Sequence, residues 1–310
     1  MEERNGKLTL SQSPYVLMPI LLLLWGSVAA VSKLVLGRMD SYQVLFFMNG
    51  IGVIVFACLV PVKVRWRELL AWKGSDFALL AACGLFAFLY DFLYLQAFER
   101  IPAVEASMLN YLFPIFIVLF AIPMNKEKMN RYKLLSVLMG FAGTVLLMTK
   151  GDLAALKLTN WAGDVLAILA AVSWGLFTNL VKKNGKDMLI STFLITLVAF
   201  ALSTVGLFKY SRLELPALAD FGGVFWLSMS NIVLGFFLYF RALRYSSASL
   251  VASFTFFTPF ITLLFIVLLL DERLTVMDGL AAVLILSSVP VQKLGSVLGA
   301  GRKKEIPKMG

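Results

Sequence analysis

Two stretches of this chain are copies of one another. Phe92-Leu93-Tyr94 recurs as Phe237-Leu238-Tyr239, and at the same offset of 145 residues Ala97 meets Ala242, Pro114 meets Pro259, Phe120 meets Phe265 and Glu127 meets Glu272. Nearer the amino terminus, Trp25-Gly26 with Lys33 matches Trp174-Gly175 with Lys182 at an offset of 149, so the second copy is four residues shorter in a loop between these blocks. A duplication of this length fixes the architecture before any single motif is read.

The composition says in which solvent the two copies fold. The 310 residues are 60% hydrophobic and 15% charged, with a mean hydropathy of +0.87, against roughly 45–50% apolar and 25% charged in soluble domains. This is a membrane protein. Its net charge of +10 does not point to nucleic acid, because the basic residues fall in short loops between apolar runs and form no contiguous basic surface. The chain has no histidine, which excludes His-ligated metal sites, Ser-His and Cys-His catalysis and the commonest proton relay near neutral pH. Cys58 and Cys83 lie inside apolar runs without metal-ligand spacing and read as small buried hydrophobes. No cofactor is expected, and the absence of a phosphate-binding loop disfavours ATP-driven pumping.

Ten apolar segments, each near the ~20 residues that cross a hydrocarbon core, fall at about 15–36, 42–60, 77–98, 102–124, 132–149, 161–181, 189–208, 221–243, 247–270 and 275–292. Pro14 to Leu36 is too long for a signal-peptide core and lacks a small-x-small cleavage pattern, so it reads as a retained first span. The longest connection, Pro61 to Ser75, has 15 residues, which places function among the helices. The expected division is a cytoplasmic arm (1–13), a first five-helix repeat (14–150), a second (151–298) and a basic cytoplasmic tail (299–310).

Lys and Arg collect in loops kept in the cytoplasm. With the amino terminus inside, nineteen basic residues lie on the cytoplasmic side and seven outside (Arg38, Arg100, Lys150, Lys157, Lys209, Arg212, Arg273), and both termini are cytoplasmic. Because five is odd, a tandem copy of the unit enters the bilayer upside down. The charges follow that inversion: Lys126, Lys128, Arg131 and Lys133 succeed the fourth span, whereas Asp271, Glu272, Arg273 and Asp278 succeed the ninth. Likewise Arg38 with Asp40 follow the first span, and Lys182, Lys183 and Lys186 follow the sixth. The fold class is an all-α membrane protein, ten transmembrane helices as two inverted five-helix repeats. Such repeats typify secondary transporters, whose halves rock about a site near the bilayer midplane.

Candidate site residues follow from what is costly in lipid. A proline inside a helix frees the carbonyl four residues earlier, so Pro114 and Pro259 are expected to kink their spans and free the carbonyls of Asn110 and Thr255, two polar residues at equivalent places roughly 12 Å deep. Asp91, mid-span, costs ~2.5–3.5 kcal/mol on insertion scales and is read as a substrate-ammonium or proton site, against a structural pair with a Lys or Arg. Tyr90, Tyr94 and Gln96 accompany it. Glu105 follows Pro102 in a first helical turn, where it caps the helix start or takes a proton or substrate. Trp25, Tyr94, Tyr111, Trp174, Tyr239 and Phe256 are candidate cavity lining, able to hold apolar groups and to attract an ammonium. Asn49, Asn179 and Asn231 are helix glue or cavity groups, and Lys33 and Arg241 are expected to snorkel.

The run Ala106-Ser107-Met108-Leu109-Asn110-Tyr111-Leu112-Phe113-Pro114-Ile115-Phe116, its echo Ala252-Ser253-Phe254-Thr255-Phe256-Phe257-Thr258-Pro259 ending at Asp271-Glu272-Arg273, and the Trp-Gly pair opening each half resemble EamA-type members of the drug/metabolite transporter superfamily. The likeness runs from about Leu21 to Val291. The Leu-Asn-Tyr-Leu-aromatic-Pro run is also similar to YddG-type amino-acid exporters, which have ten helices, a central cavity and cytoplasmic termini. The resemblance implies export or exchange of a small metabolite across a bacterial inner membrane.

The resulting expectation is a secondary transporter, not an enzyme, that moves a small amine-bearing metabolite such as an amino acid by alternating access. Its partners are a small-molecule substrate, the lipid bilayer and, where Asp91 titrates, protons, with no nucleic acid, and it is a monomer or weak homodimer. The alternative within the fold is a drug, nucleoside or other metabolite permease. A polyanionic substrate would want several mid-depth Lys or Arg, and none is evident. An intramembrane hydrolase built on Asp91 and Glu105 is disfavoured by their unequal depth, and a membrane sensor would show no flux.

Overall fold

The computed structural model describes residues 12–63, 71–101, 103–152, 159–261 and 276–304. The charged run Asp271, Glu272 and Arg273, the repeat position Phe265, Pro102 and the side chains of Lys33 and Asp278 lie outside the described residues. Among those described the secondary structure is helical, as it must be where no water satisfies backbone groups. The helices are α1 (Pro14–Leu36), α2 (Ser41–Lys63), α3 (Gly74–Phe98), α4 (Ala103–Asn110), α5 (Phe113–Asn125), α6 (Arg131–Thr149), α7 (Trp161–Lys183), α8 (Met188–Tyr210), α9 (Leu218–Leu227), α10 (Leu234–Tyr245), α11 (Ala248–Thr255) and α12 (Val276–Lys304), with a π-helical segment, Ser228–Val233, joining α9 to α10. Seven helical stretches are long and apolar enough to cross a membrane, and three shorter apolar helices stand at Pro14–Val28, Ala248–Ile261 and Gly279–Leu294. Together they occupy the ten places that the sequence predicts.

Short polar side chains set the helix starts. Asp40 Oδ1 accepts the N–H of Tyr42 and Gln43 at the head of α2, Asn130 Oδ1 that of Lys133 (2.8 Å) before α6, Asn160 Oδ1 that of Ala162 before α7, and Asp187 Oδ1 those of Leu189 and Ile190 before α8. Each satisfies donors that a helix start leaves unpaired. α5 and α6 end on Lys126 and Lys150, both left-handed at φ 54° and 50°.

The fourth span is interrupted where the sequence places its kink. Helix α4 stops at Asn110, Tyr111 and Leu112 form a turn, and α5 starts afresh with Pro114 in its first turn, where a missing N–H costs nothing. The ninth span breaks in the same way at Phe256 and Phe257. There the Thr258 hydroxyl donates to the Thr255 carbonyl at 2.8 Å, so the acceptor that Pro259 would strand is satisfied.

The chain gathers into two compact units that mix the repeats. One holds the described residues up to Phe88 with Leu180–Ser247, the other Leu89–Asn179 with those from Ala248 onward. In the first unit α2 packs along α8: Tyr42 stacks on Tyr210 (5.5 Å), Asn49 Nδ2 donates to Ser203 Oγ (3.2 Å) and Gly52 faces Thr196. Rising numbers on α2 meet falling numbers on α8. In the second unit α6 packs along α12 in the same sense, with Ser136 against Gln292, Gly143 against Ile285 and Gly151 against Met277. Helices α2 and α8 are the second members of the two repeats, and α6 and α12 the fifth. Each lies antiparallel to its own copy, which is the inversion that the loop charges predict.

The outer faces carry Ile54, Val205, Phe208 and Val283, exposed apolar side chains suited to lipid. Cys83 is buried, but Cys58 is exposed, correcting the expectation that both are interior. At the end of α5 Glu127 caps α11: Oε1 accepts the Ala248 N–H (2.8 Å), and Oε2 accepts from Ser249 Oγ and from Lys133 Nζ (2.9 Å). Burial alone would raise the Glu127 carboxyl, but the bonds from Ser249 and Lys133, the Lys133 charge and the Ala248 N–H hold it below its ordinary value. The clamp is therefore fully formed at neutral pH and is lost only in acid, as pH falls through that lowered value.

A Cβ on Gly143 would lie 2.7 Å from Ile285 Cγ1 and 3.0 Å from the Ala281 carbonyl oxygen, whereas one on Gly279 meets nothing within 4 Å. Gly143→Val is expected to destabilise the purified protein by about 1–3 kcal/mol through overpacking, read as a lower melting temperature in detergent. Gly279→Ala is expected to melt as the parent does.

Candidate functional site

The break in the fourth span sets the site. Asn110, the last residue of α4, holds its amide inside the second unit, 3% exposed. Its Nδ2 donates to Tyr90 Oη at 3.3 Å. Its Oδ1 is buried and receives no hydrogen bond from the described residues. An acceptor left in this state costs about 1–3 kcal/mol, and proteins seldom keep one without a use.

Aromatic rings surround this oxygen's neighbourhood. Tyr90 and Tyr94, one turn apart on α3, have ring centroids 5.9 Å apart, and Tyr90 lies 4.5 Å from Trp174 of α7. Phe113, the first residue of α5, meets Trp174 edge-on at 6.3 Å, and Tyr111 of the turn lies 6.3 Å from Phe113. Tyr94 Oη and Ser107 Oγ of α4 share a hydrogen bond of 3.1 Å, which fixes the ring beside the half-helix. Asp91 is half-buried and lies roughly 60° round α3 from Tyr94. Electron-rich ring faces, one free amide oxygen and a carboxylate on the adjoining face suit an ammonium group joined to an apolar body.

The other residues singled out by sequence fall elsewhere. Asn179 is wholly buried, with Nδ2 donating to the carbonyls of Ile117 (2.9 Å) and Gly175 (2.8 Å) and Oδ1 accepting from Asn125 (2.5 Å), so its amide ties α7 to α5. Phe256, also wholly buried, lies against Gly140 of α6, where a Cβ would come within 2.3 Å of its ring. Thr255 is buried and donates its hydroxyl to the Ala252 carbonyl at 2.7 Å. Glu105 stands in the first turn of α4 as expected, and its two oxygens also accept from Thr159. In the first unit Trp25 and Tyr239 stand 5.2 Å apart, and Asn49 bonds Leu45 and Ser203. Arg241 lies 6.0 Å over the Phe237 ring.

Two features escape the sequence reading. Asp164, in the first turn of α7, is 6% exposed with Oδ1 bonded to no described donor. Its only sequence signal is an acid opening an apolar run with no Lys or Arg three or four residues away. The π segment Ser228–Val233 leaves the Ser228 and Ser230 hydroxyls buried without a described partner, and the sequence there reads as plain helix.

The EamA-like transporter family matches residues 12–149 and 161–291. An uncharacterized transporter of Archaeoglobus fulgidus is 25% identical over 295 residues, covering 90% of this chain and 97% of its own, and transporter YvbV of Bacillus subtilis is 25% identical over 88% of this chain and 89% of its own. The aromatic amino acid exporter YddG of Ancylobacter novellus is 40% identical over 65 residues, 21% of this chain and 22% of its own. A solved crystal structure superposes with a TM-score of 0.74 at 20% identity, covering 91% of this chain and 97% of the other, and so shares the fold.

Replacing the two asparagines separates site from scaffold. Asn179→Leu breaks three bonds inside the unit and is expected to destabilise by about 1–3 kcal/mol. Asn110→Leu removes one long bond and an unsatisfied acceptor, so its melting temperature is expected to equal or exceed that of the parent. A large loss of stability in Asn110→Leu would make that amide a structural group.

Proposed function

Because the chain belongs to the EamA-like transporter family, and so is a multi-pass membrane transporter of small molecules, we propose that its substrate is an amine-bearing metabolite of the amino-acid class. On this reading it is exported or exchanged across a bacterial inner membrane by alternating access, with both termini in the cytoplasm. The observation that carries the proposal is Asn110 Oδ1, a buried acceptor without a described donor among Tyr90, Tyr94, Trp174 and Phe113. A substrate ammonium donates to that oxygen and faces the rings, while Asp91 balances its charge or exchanges a proton with it. Tyr111 closes the apolar side. The short match to an exporter named for aromatic amino acids supports the same class.

In the second repeat Thr255 occupies the place of Asn110 and Phe256 that of Tyr111. Thr255 spends its hydroxyl proton on the Ala252 carbonyl and Phe256 brings no polar side-chain atom, so the two breaks differ in side-chain chemistry although their backbones match. Glu105 enters the proposal as a proton group, Pro114 and Pro259 as the residues that open the two breaks, and Asn179 as a strut. Trp25 and Tyr239 form an aromatic pair of their own in the first unit.

Counterflow in proteoliposomes against a panel of amino acids, amines and nucleosides tests the substrate class, with amine-bearing compounds expected to exchange. Loss of a hydrogen bond to a charged group is worth about 1.5–3 kcal/mol, so Asn110→Leu is expected to weaken the apparent affinity by about ten- to a hundredfold. Asp91→Asn is expected to abolish flux or its pH dependence while the protein still inserts. Unchanged flux with unchanged pH dependence removes Asp91 from the mechanism.

A further inference from the structure

The second unit buries two acids away from the aromatic enclosure: Glu105 is 9% exposed and Asp164 6%. They sit in the first turns of α4 and α7. Packing brings these helix starts together, since Ala106 and Ala167 share one cluster with Ala97 and Ile101, and a Cβ on Gly163 would come within 2.6 Å of Ile101. Thr159 spends both its donors on Glu105, the N–H on Oε1 and the hydroxyl on Oε2, each at 2.7 Å. The packing of Gly163 against Arg100 and Ile101 sets Asp164 beside the start of α4, near enough for its charge and that of Glu105 to act on one another, yet the Asp164 Oδ1 is buried and has no donor among the described residues. Two ionised carboxylates offer acceptors only, and like charges this close do not both persist out of water. A proton between them supplies the missing donor and removes the repulsion.

We infer that Glu105 and Asp164 form a binding site for one proton, carried as the O–H of one carboxyl and donated to the other, and that the shared proton latches the starts of α4 and α7 together. Uptake from the aqueous phase takes the pair from two negative charges to one, which then faces two helix starts. Release restores the second charge and drives the helices apart. The latch rests on the proposed transport reading, because α4 ends on Asn110 and α7 carries Trp174, so latch and enclosure share two helices. The other described charges at this end of α3, α4, α6 and α7 are Glu99 and Arg100 before α4 and the exposed Lys150 and Asp152 after α6, while Asp76, Asp91, Arg131, Lys133, Lys182 and Lys183 lie further along those helices. Arg100 is turned to Gln96, donating to its carbonyl at 2.7 Å and its Oε1 at 2.8 Å, with Glu99 at 4.0 Å.

Infrared difference spectra of the purified full chain, taken through a pH titration, test the proton site without any substrate. The parent is expected to show a protonated-carboxyl band that bleaches as pH rises. Glu105→Gln and Asp164→Asn each remove that band, since one proton has two hosts, and Asp91→Asn retains it. No titrating band in the parent, or one that survives in both pair variants, overturns the site; if Asp164→Asn does not fold, Asp164→Ser takes its place. In proteoliposomes the parent's flux is expected to change about tenfold per pH unit along the titrating limb and the Asp164→Asn profile to be flat. An unchanged profile overturns the latch. A parent that moves no compound of the panel overturns the transport reading instead, and the infrared result still decides the proton site.

Discussion

In hydrocarbon no water satisfies a stray N–H or C=O, so this chain closes its backbone hydrogen bonds inside helices and leaves the helices to meet by shape. Where they meet is dictated by duplication. Helix α2 lies antiparallel on α8 through Asn49, Gly52, Ser203 and Thr196, and α6 lies antiparallel on α12 through Ser136, Gly143, Ile285 and Gln292. A helix packed against its own copy needs small residues at the contact, and at Gly143 there is no room for a Cβ between α6 and α12. The rest of the architecture follows, because each unit is then assembled from members of both repeats.

Within that frame the broken spans cost something that the unbroken ones do not. Ending α4 at Asn110 gives up helix continuity and leaves an amide oxygen without a described donor. The ninth span breaks at the equivalent place but repairs itself through the Thr255 and Thr258 hydroxyls. That difference between copies is chemically informative: the backbone device is duplicated and the unpaired acceptor is not. An unpaired acceptor kept in one copy and absent from the other suits a ligand that is itself asymmetric.

Much of this was legible in the residues, for physical reasons. The span positions follow from hydropathy and bilayer thickness, the inversion from an odd helix number and the swap of Lys126, Lys128 and Lys133 for Asp271 and Glu272, and the breaks from Pro114 and Pro259. Sequence could not show how each interruption is repaired, since that depends on which hydroxyl folds back onto the turn, as that of Thr258 does in the ninth span. Nor could it rank Asn110 above Asn179: both are intramembrane amides, and only their surroundings show that Asn179 is fully bonded. Asp164 stayed hidden because its partner, Glu105, is distant in the chain. The π segment at Ser228–Val233 has no composition of its own to betray it.

The side of the membrane reached by the two matching loops tests the central proposition most directly. In a background without Cys58 and Cys83, single cysteines at Lys126 and Glu272 can be probed in intact cells with a membrane-impermeant maleimide. Antiparallel copies require that Glu272→Cys be labelled from outside and Lys126→Cys only after the membrane is opened. Labelling of both from the same side would contradict the inverted duplication and everything built on it.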